Sequence, residues 1–167
     1  MEYLLQIKYA TNIEGKEIIL TNLSDKKLNT LSQFDRQLCA VQVRMFELSL
    51  KKGFLSREFI DLYMQSKTAE YFYLPFDRTQ WLGEENLLFD FLEEKPNLQS
   101  GELYSSGALF WIGYTYRYWH YLTGQNSKDI VKICDAQTMY TLHPAYHTLD
   151  CTMAIERILE AKEFSNS

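Results

Sequence analysis

The stretch SGALFWIGYTYRYWHYLTGQNSKDIVKICDAQTMYTLHPAYHTLD, residues 106–150, decides the fold class. It opens with the most aromatic segment of the chain. At helical spacing Phe110, Tyr114, Tyr118 and Leu122 form one stripe, with Trp111, Thr115 and Trp119 beside it. Gly113, Tyr116, Arg117 and His120 share the remaining strip. A helix that is aromatic nearly all round is either central to a core or offers one face to a partner. Gly124 supplies a helix stop, and Ser127 can cap a new helix opening at Lys128 and Asp129.

Helical periodicity recurs outward from this stretch. Leu38, Val41, Met45, Phe46 and Leu48 mark a helix over residues 32–52, ended by Gly53. Ser56 reads as the N-cap of a second helix carrying Phe59, Ile60, Leu62, Tyr63 and Met64, which runs on until Pro75 forbids it. A third spans 79–94 and turns Trp81, Leu82, Leu87, Leu88, Phe91 and Leu92 inward; the polar run from Pro96 to Gly101 then reads as a linker. After the aromatic helix come short helices over 127–133 and about 137–142. A last helix is capped by Asp150 and points Met153, Ala154, Ile155, Ile158 and Leu159 inward, with a loose tail over 164–167.

Residues 1–30 admit two readings. Tyr3, Leu5, Ile7 and Tyr9 alternate as in a strand, and Glu14-Gly15 can turn the chain into a second strand over 16–21; Leu4, Leu5 and Lys8 equally suit a helix over 2–10. The expected fold is therefore all-α, mainly helical: one globular domain over 31–167, preceded by an arm or β-hairpin over 1–30. Only 7 Gly and 3 Pro among 167 residues agree with helices rather than a turn-rich β architecture.

The formal net charge of −5 argues against nucleic acid or anionic lipid as a partner of the whole protein. That charge is concentrated. Between residues 79 and 102 the acids Glu84, Glu85, Asp90, Glu93, Glu94 and Glu102 face Lys95 alone, an imbalance equal to the net charge of the chain. Three widely spaced cysteines, Cys39, Cys134 and Cys151, without a leader or a membrane-spanning apolar run, place the protein in a reducing cytoplasm and away from the membrane. The triplet Phe-Asp-Arg occurs at 34–36 and again at 76–78, but the flanks differ and no internal repeat is drawn.

Chemistry is sparse. His143 and His147 are four apart, but Pro144 between them is expected to start a new turn, and Cys134 and Cys151 fit no zinc-module spacing. No metal or cofactor is expected, and His147 is expected to bond backbone groups at a helix junction. Arg117 and His120 invite a ribonuclease reading, since a cation and a general base one turn apart can hold a phosphate and move a proton. HEPN ribonucleases separate the two by four to six residues and follow the Arg with a polar residue. Here two residues intervene and Tyr118 follows. The competing expectation is that Arg117 stacks on a tyrosine ring or pairs with an acid, with His120 near solvent. Residues 127–142 have helix-turn-helix proportions, yet 137–146 contain no Lys or Arg, so packing on the aromatic helix is the better expectation.

The order Tyr-Arg-Tyr-Trp-His-Tyr-Leu-Thr-Gly at 116–124, Ser-Lys-Asp-Ile at 127–130, Tyr146-His147 and Ala154-Ile155 resembles a group of small bacterial helical proteins. In that group a helix ends in Thr/Ser-Gly, a short helix begins at Ser, and a Leu-His-like segment precedes the last helix; here Tyr146 stands before the His. Its members are often encoded beside an ADP-ribosyltransferase-like toxin and are taken as antitoxin components. The likeness covers about the last 60 residues. It implies a neutralising protein-binding module with a co-encoded toxin as partner, no catalytic residues, and a homodimer left open. The expected partner-binding residues are Glu84, Glu85 and Asp90 on the acidic face, with Tyr116, Arg117, His120, Tyr146 and His147. An RNA-cleaving toxin and a helix-turn-helix regulator are the alternatives.

Overall fold

Ser32 begins the helical part of the chain: its hydroxyl accepts the Asp35 N–H at 3.0 Å and starts α1, Gln33–Lys51. The structure, a computed structural model, describes residues 8–11 and 17–20 for the backbone alone, and 31–166 in full. In the first two segments β1 (Lys8–Thr11) pairs antiparallel with β2 (Glu17–Leu20), Lys8 facing Leu20 and Thr11 facing Glu17. A hairpin is present there, its second strand within the expected 16–21, while residues 2–7, which carry most of the expected first strand and of the helical alternative, lie outside the described residues, as does the turn at Glu14-Gly15.

Seven further α-helices follow among the described residues: α2 (Ser56–Met64), α3 (Lys67–Tyr73), α4 (Glu84–Glu94), α5 (Ser106–Thr123), α6 (Ser127–Ile133), α7 (Ala136–Tyr146) and α8 (Cys151–Ser165). The all-α expectation is met, with corrections to individual elements. The helix expected from Ser56 to Pro75 is two. Ser66 interrupts it because its hydroxyl accepts the Ala69 N–H at 3.1 Å and donates to the Tyr63 carbonyl at 2.6 Å, ending α2 and capping α3 together. Ser56 is not a cap either; its hydroxyl accepts the Tyr104 N–H at 2.9 Å. The helix expected over 79–94 breaks at Gly83, whose φ of +78° no helix accommodates. A 3₁₀ turn, Arg78–Trp81, precedes α4, and Trp81, expected inward, is 73% exposed. Asn126, not Ser127, caps α6.

The C-terminal third also departs in detail. Pro144 lies inside α7 and starts no new turn. Two residues from the helix end, it removes one backbone hydrogen bond and leaves the rest intact. Met153 is exposed, and α8 extends through Phe164 and Ser165, where a loose tail was expected. The run 96–101 is stitched to the start of α2, with Leu55 N–H donating to the Gln99 carbonyl at 2.8 Å and Ser56 N–H to the Glu102 carbonyl at 3.0 Å.

The core forms where α5 crosses α1. Gly113 lets the two backbones approach: a Cβ there would stand 3.1 Å from a Phe46 ring carbon and 3.3 Å from the Val43 Cα. Gln42 on α1 donates to the Gly113 carbonyl at 2.7 Å and accepts from the Tyr73 hydroxyl at 3.0 Å, both fully inside. The strip of Gly113, Tyr116 and Arg117 is thus buried, together with Trp111, Thr115 and Trp119 beside it. The stripe of Phe110, Tyr114 and Tyr118 is a half-exposed ladder of rings, centroids 6.1 and 6.2 Å apart. α6 and α7 pack on α2 and α5 as expected. No helix among the described residues is long and apolar enough to cross a membrane.

Candidate functional site

The residues singled out from the sequence do not converge on one place. Tyr116 is fully buried and its hydroxyl donates to the Cys134 carbonyl at 2.6 Å, so its role is to hold α6 against α5; it is not available to a partner. Arg117 is likewise 0% exposed. Its guanidinium lies 4.4 Å from the Phe72 ring centroid, 4.5 Å from Tyr73 and 5.1 Å from Tyr121. It donates to the Phe72 carbonyl at 2.9 Å and twice to the Tyr121 hydroxyl, at 3.1 and 3.3 Å. Stacking on tyrosine rings is the outcome, and among the described residues no carboxylate pairs with it.

Glu84, Glu85 and Asp90 are spread around α4 and do not form one face. Glu85 and Asp90 are exposed, while Glu84 is tied to Arg44 of α1 at 3.1 Å. Glu94 belongs elsewhere: its carboxylate accepts Lys67 N–H at 2.7 Å, Thr68 N–H at 3.1 Å and the Thr68 hydroxyl at 3.0 Å, capping α3 from a neighbouring helix.

Tyr146 and His147 sit at the end of α7, on the far side of Trp111. His147 Nδ1 bonds to the His143 carbonyl at 2.9 Å, the junction role expected of it. The two imidazoles lie 4.8 Å apart, tilted by 38°, and line a cavity of about 530 Å³ with Trp111, Tyr114 and Cys151. Burial and the neighbouring His147 both lower the His143 pKa. No cluster of three or more ligating side chains suited to a metal occurs among the described residues.

A second cavity, of about 520 Å³, lies between the start of α1, the end of α3, the 3₁₀ turn and the end of α5. Phe34, Asp35, Tyr73, Phe76, Gln80, His120 and Tyr121 line it, with Arg117 beneath. His120 is half-buried, and its Nδ1 bonds to the Gln125 carbonyl at 2.7 Å. Because a carbonyl only accepts, Nδ1 carries the proton and Nε2 is left as the bare acceptor. Burial pushes His120 down to about 4, the Gln125 bond opposing and Arg117 reinforcing the fall, so the ring is neutral at pH 7. At the mouth stands Phe76, 96% exposed and at φ +65°, a backbone conformation that a phenylalanine rarely adopts. Phe34 meets Trp81 beside it, ring centroids 4.9 Å apart and planes tilted by 31°.

The structure therefore joins the two Phe-Asp-Arg triplets across one cavity: Phe34 and Asp35 from the first, Phe76 from the second. Sequence reasoning passed over Asp35, Phe76, Gln80 and Tyr121; the repeated triplet was a signal for the first two, and no sequence signal pointed to Gln80 or Tyr121. No protein-family model matches this chain, and no curated protein and no solved structure matches it.

Proposed function

We propose that the chain is a protein-binding module that neutralises a co-encoded bacterial toxin. One observation carries the binding half of this reading: Tyr71, Leu74, Phe76 and Trp81, within eleven residues at the end of α3 and the 3₁₀ turn, all hold large apolar side chains in solvent. A cluster of exposed rings costs solubility and provides contact area at little entropic expense, the composition of an interface centre. The toxin as partner rests on the resemblance of the last 60 residues. The acidic residues of α4 would steer a basic partner toward the chain.

The ribonuclease reading is weakened by Arg117. All three of its nitrogens are engaged within the fold and none of its surface is open to a substrate phosphate.

Co-expression with the product of the adjacent gene tests the proposal. A stable complex and relief of that product's growth arrest are expected, both lost in a Phe76→Ala, Trp81→Ala double variant whose melting temperature is unchanged. Reversing Glu85 and Asp90 to Lys should slow association and flatten its salt dependence. Growth arrest caused by this chain alone, and abolished by His120→Ala, would favour the ribonuclease instead.

A further inference from the structure

We infer that the cavity between α1 and the end of α5 receives an arginine side chain of the protein partner, a refinement that rests on the protein-binding reading above. The hydrogen-bond network assigns the polarity of each polar group lining it. Gln80 spends both amide hydrogens on the Phe72 and Leu74 carbonyls, at 3.2 and 2.8 Å, so its Oε1 remains as an acceptor. His120 spends its ring proton on Gln125 and leaves Nε2 as an acceptor. Asp35 adds a half-buried carboxylate that has no ion-pair partner among the described residues. Against these three acceptors stand the Tyr121 hydroxyl, whose oxygen already accepts two bonds from Arg117, and Arg117 itself, whose bonds run to Tyr121 and to the Phe72 carbonyl.

A cavity so biased selects a ligand rich in N–H donors. The walls narrow the choice further, because Phe34 and Phe76 offer ring faces. A guanidinium has five donors in a plane and stacks on such faces, whereas an ammonium is a strongly hydrated point charge. The buried Arg117 opposes a second cation, and Asp35 is the group that offsets it. A volume of about 520 Å³ admits the side chain with bridging waters. The strained, solvent-facing Phe76 is then the ring that closes over the incoming group.

The test uses the full chain and capped arginine (N-acetyl-arginine amide) as probe, followed by the His120 ring nitrogen resonances. Capped citrulline, the neutral isostere, and inorganic phosphate are the controls. Arginine should bind with a Kd of about 1 mM and perturb Nε2 more than Nδ1. Asp35→Asn, which keeps the side chain's shape and removes its charge, should weaken it about tenfold, equivalent to about 1.4 kcal/mol. Equal binding by citrulline, binding by phosphate in its place, or no response to arginine would overturn the assignment. The adjacent gene's product separates the two levels of inference. If it binds wild type and Asp35→Asn alike, the cavity assignment fails and the protein-binding reading stands. If capped arginine binds but that product does not, the cavity assignment stands and the choice of partner fails.

Discussion

Phe76 concentrates the residue-scale physics of this protein. A left-handed backbone costs a non-glycine residue about 1–2 kcal/mol, and here the side chain recovers nothing by burial, being 96% exposed. Phe76→Gly should therefore raise stability by about 1 kcal/mol in urea melts while abolishing partner binding; a loss of stability would show the ring to be structural. His120 gives a pH test. Its folded pKa, about 4, lies below the ordinary 6.5, so the unfolded chain binds the proton more tightly between those values. The stability arising from the neutral ring is complete above pH 6.5 and is lost as pH falls toward 4. The stability advantage of wild type over His120→Gln, from urea melts at each pH, should shrink across that window. Burial also pushes Cys39 and Cys134 up to about 12 and raises Cys151, so thiol reagents should label Cys151, the half-buried one, first.

At the scale of elements, α3 is held by a carboxylate from another helix. Burial pushes Glu94 up, but the bonds from Lys67 and Thr68, with Lys95 nearby, outweigh it and leave the carboxyl below its usual range. Two N-terminal donors of a seven-residue helix depend on that one side chain. Glu94→Ala should cost about 1–2 kcal/mol, and the loss should fade as pH falls through the ordinary carboxylate range, since a lowered folded pKa contributes stability only above it. Glu85→Ala, at an exposed position of the same helix as Glu94, should change stability by less than about 0.5 kcal/mol. Chemical denaturation of the two variants at pH 7 and pH 4 distinguishes a cap from a solvated acid.

For the molecule as a whole, the crossing of α1 and α5 determines what every other helix packs against. Gly113→Ala would gain up to about 1 kcal/mol in helix propensity, yet its Cβ would press on the Val43 backbone, which cannot swing aside. We expect a net loss of about 1–3 kcal/mol, with Phe46 displaced; a higher melting temperature in calorimetry would show the crossing to be loosely packed. Trp119→Ala should lose more, about 3–5 kcal/mol, since that ring is fully buried and donates to Gln125 at 2.8 Å.

Local periodicity and end signals were enough to read the helical class, the aromatic helix with its stop at Gly124, the helix ended by Gly53, and the Asp150 cap, because each depends on residues a turn or two apart. Three things waited for the tertiary structure. Which side of α5 is buried was illegible, since rings cover most of its circumference and the choice rests on Gly113 fitting against α1. The break at Ser66 depended on a hydroxyl that bonds on both sides, where periodicity alone runs straight through. The cavity was furthest from view: Asp35 and His120 are separated by about half of the chain, and their convergence with Phe76 and Gln80 follows only from how α1, α3 and α5 pack. Short-range spacing records which residues share a face of one helix; which faces meet is decided by shape complementarity among residues far apart in sequence, and the polarity of the cavity by hydrogen bonds that form only once they have met.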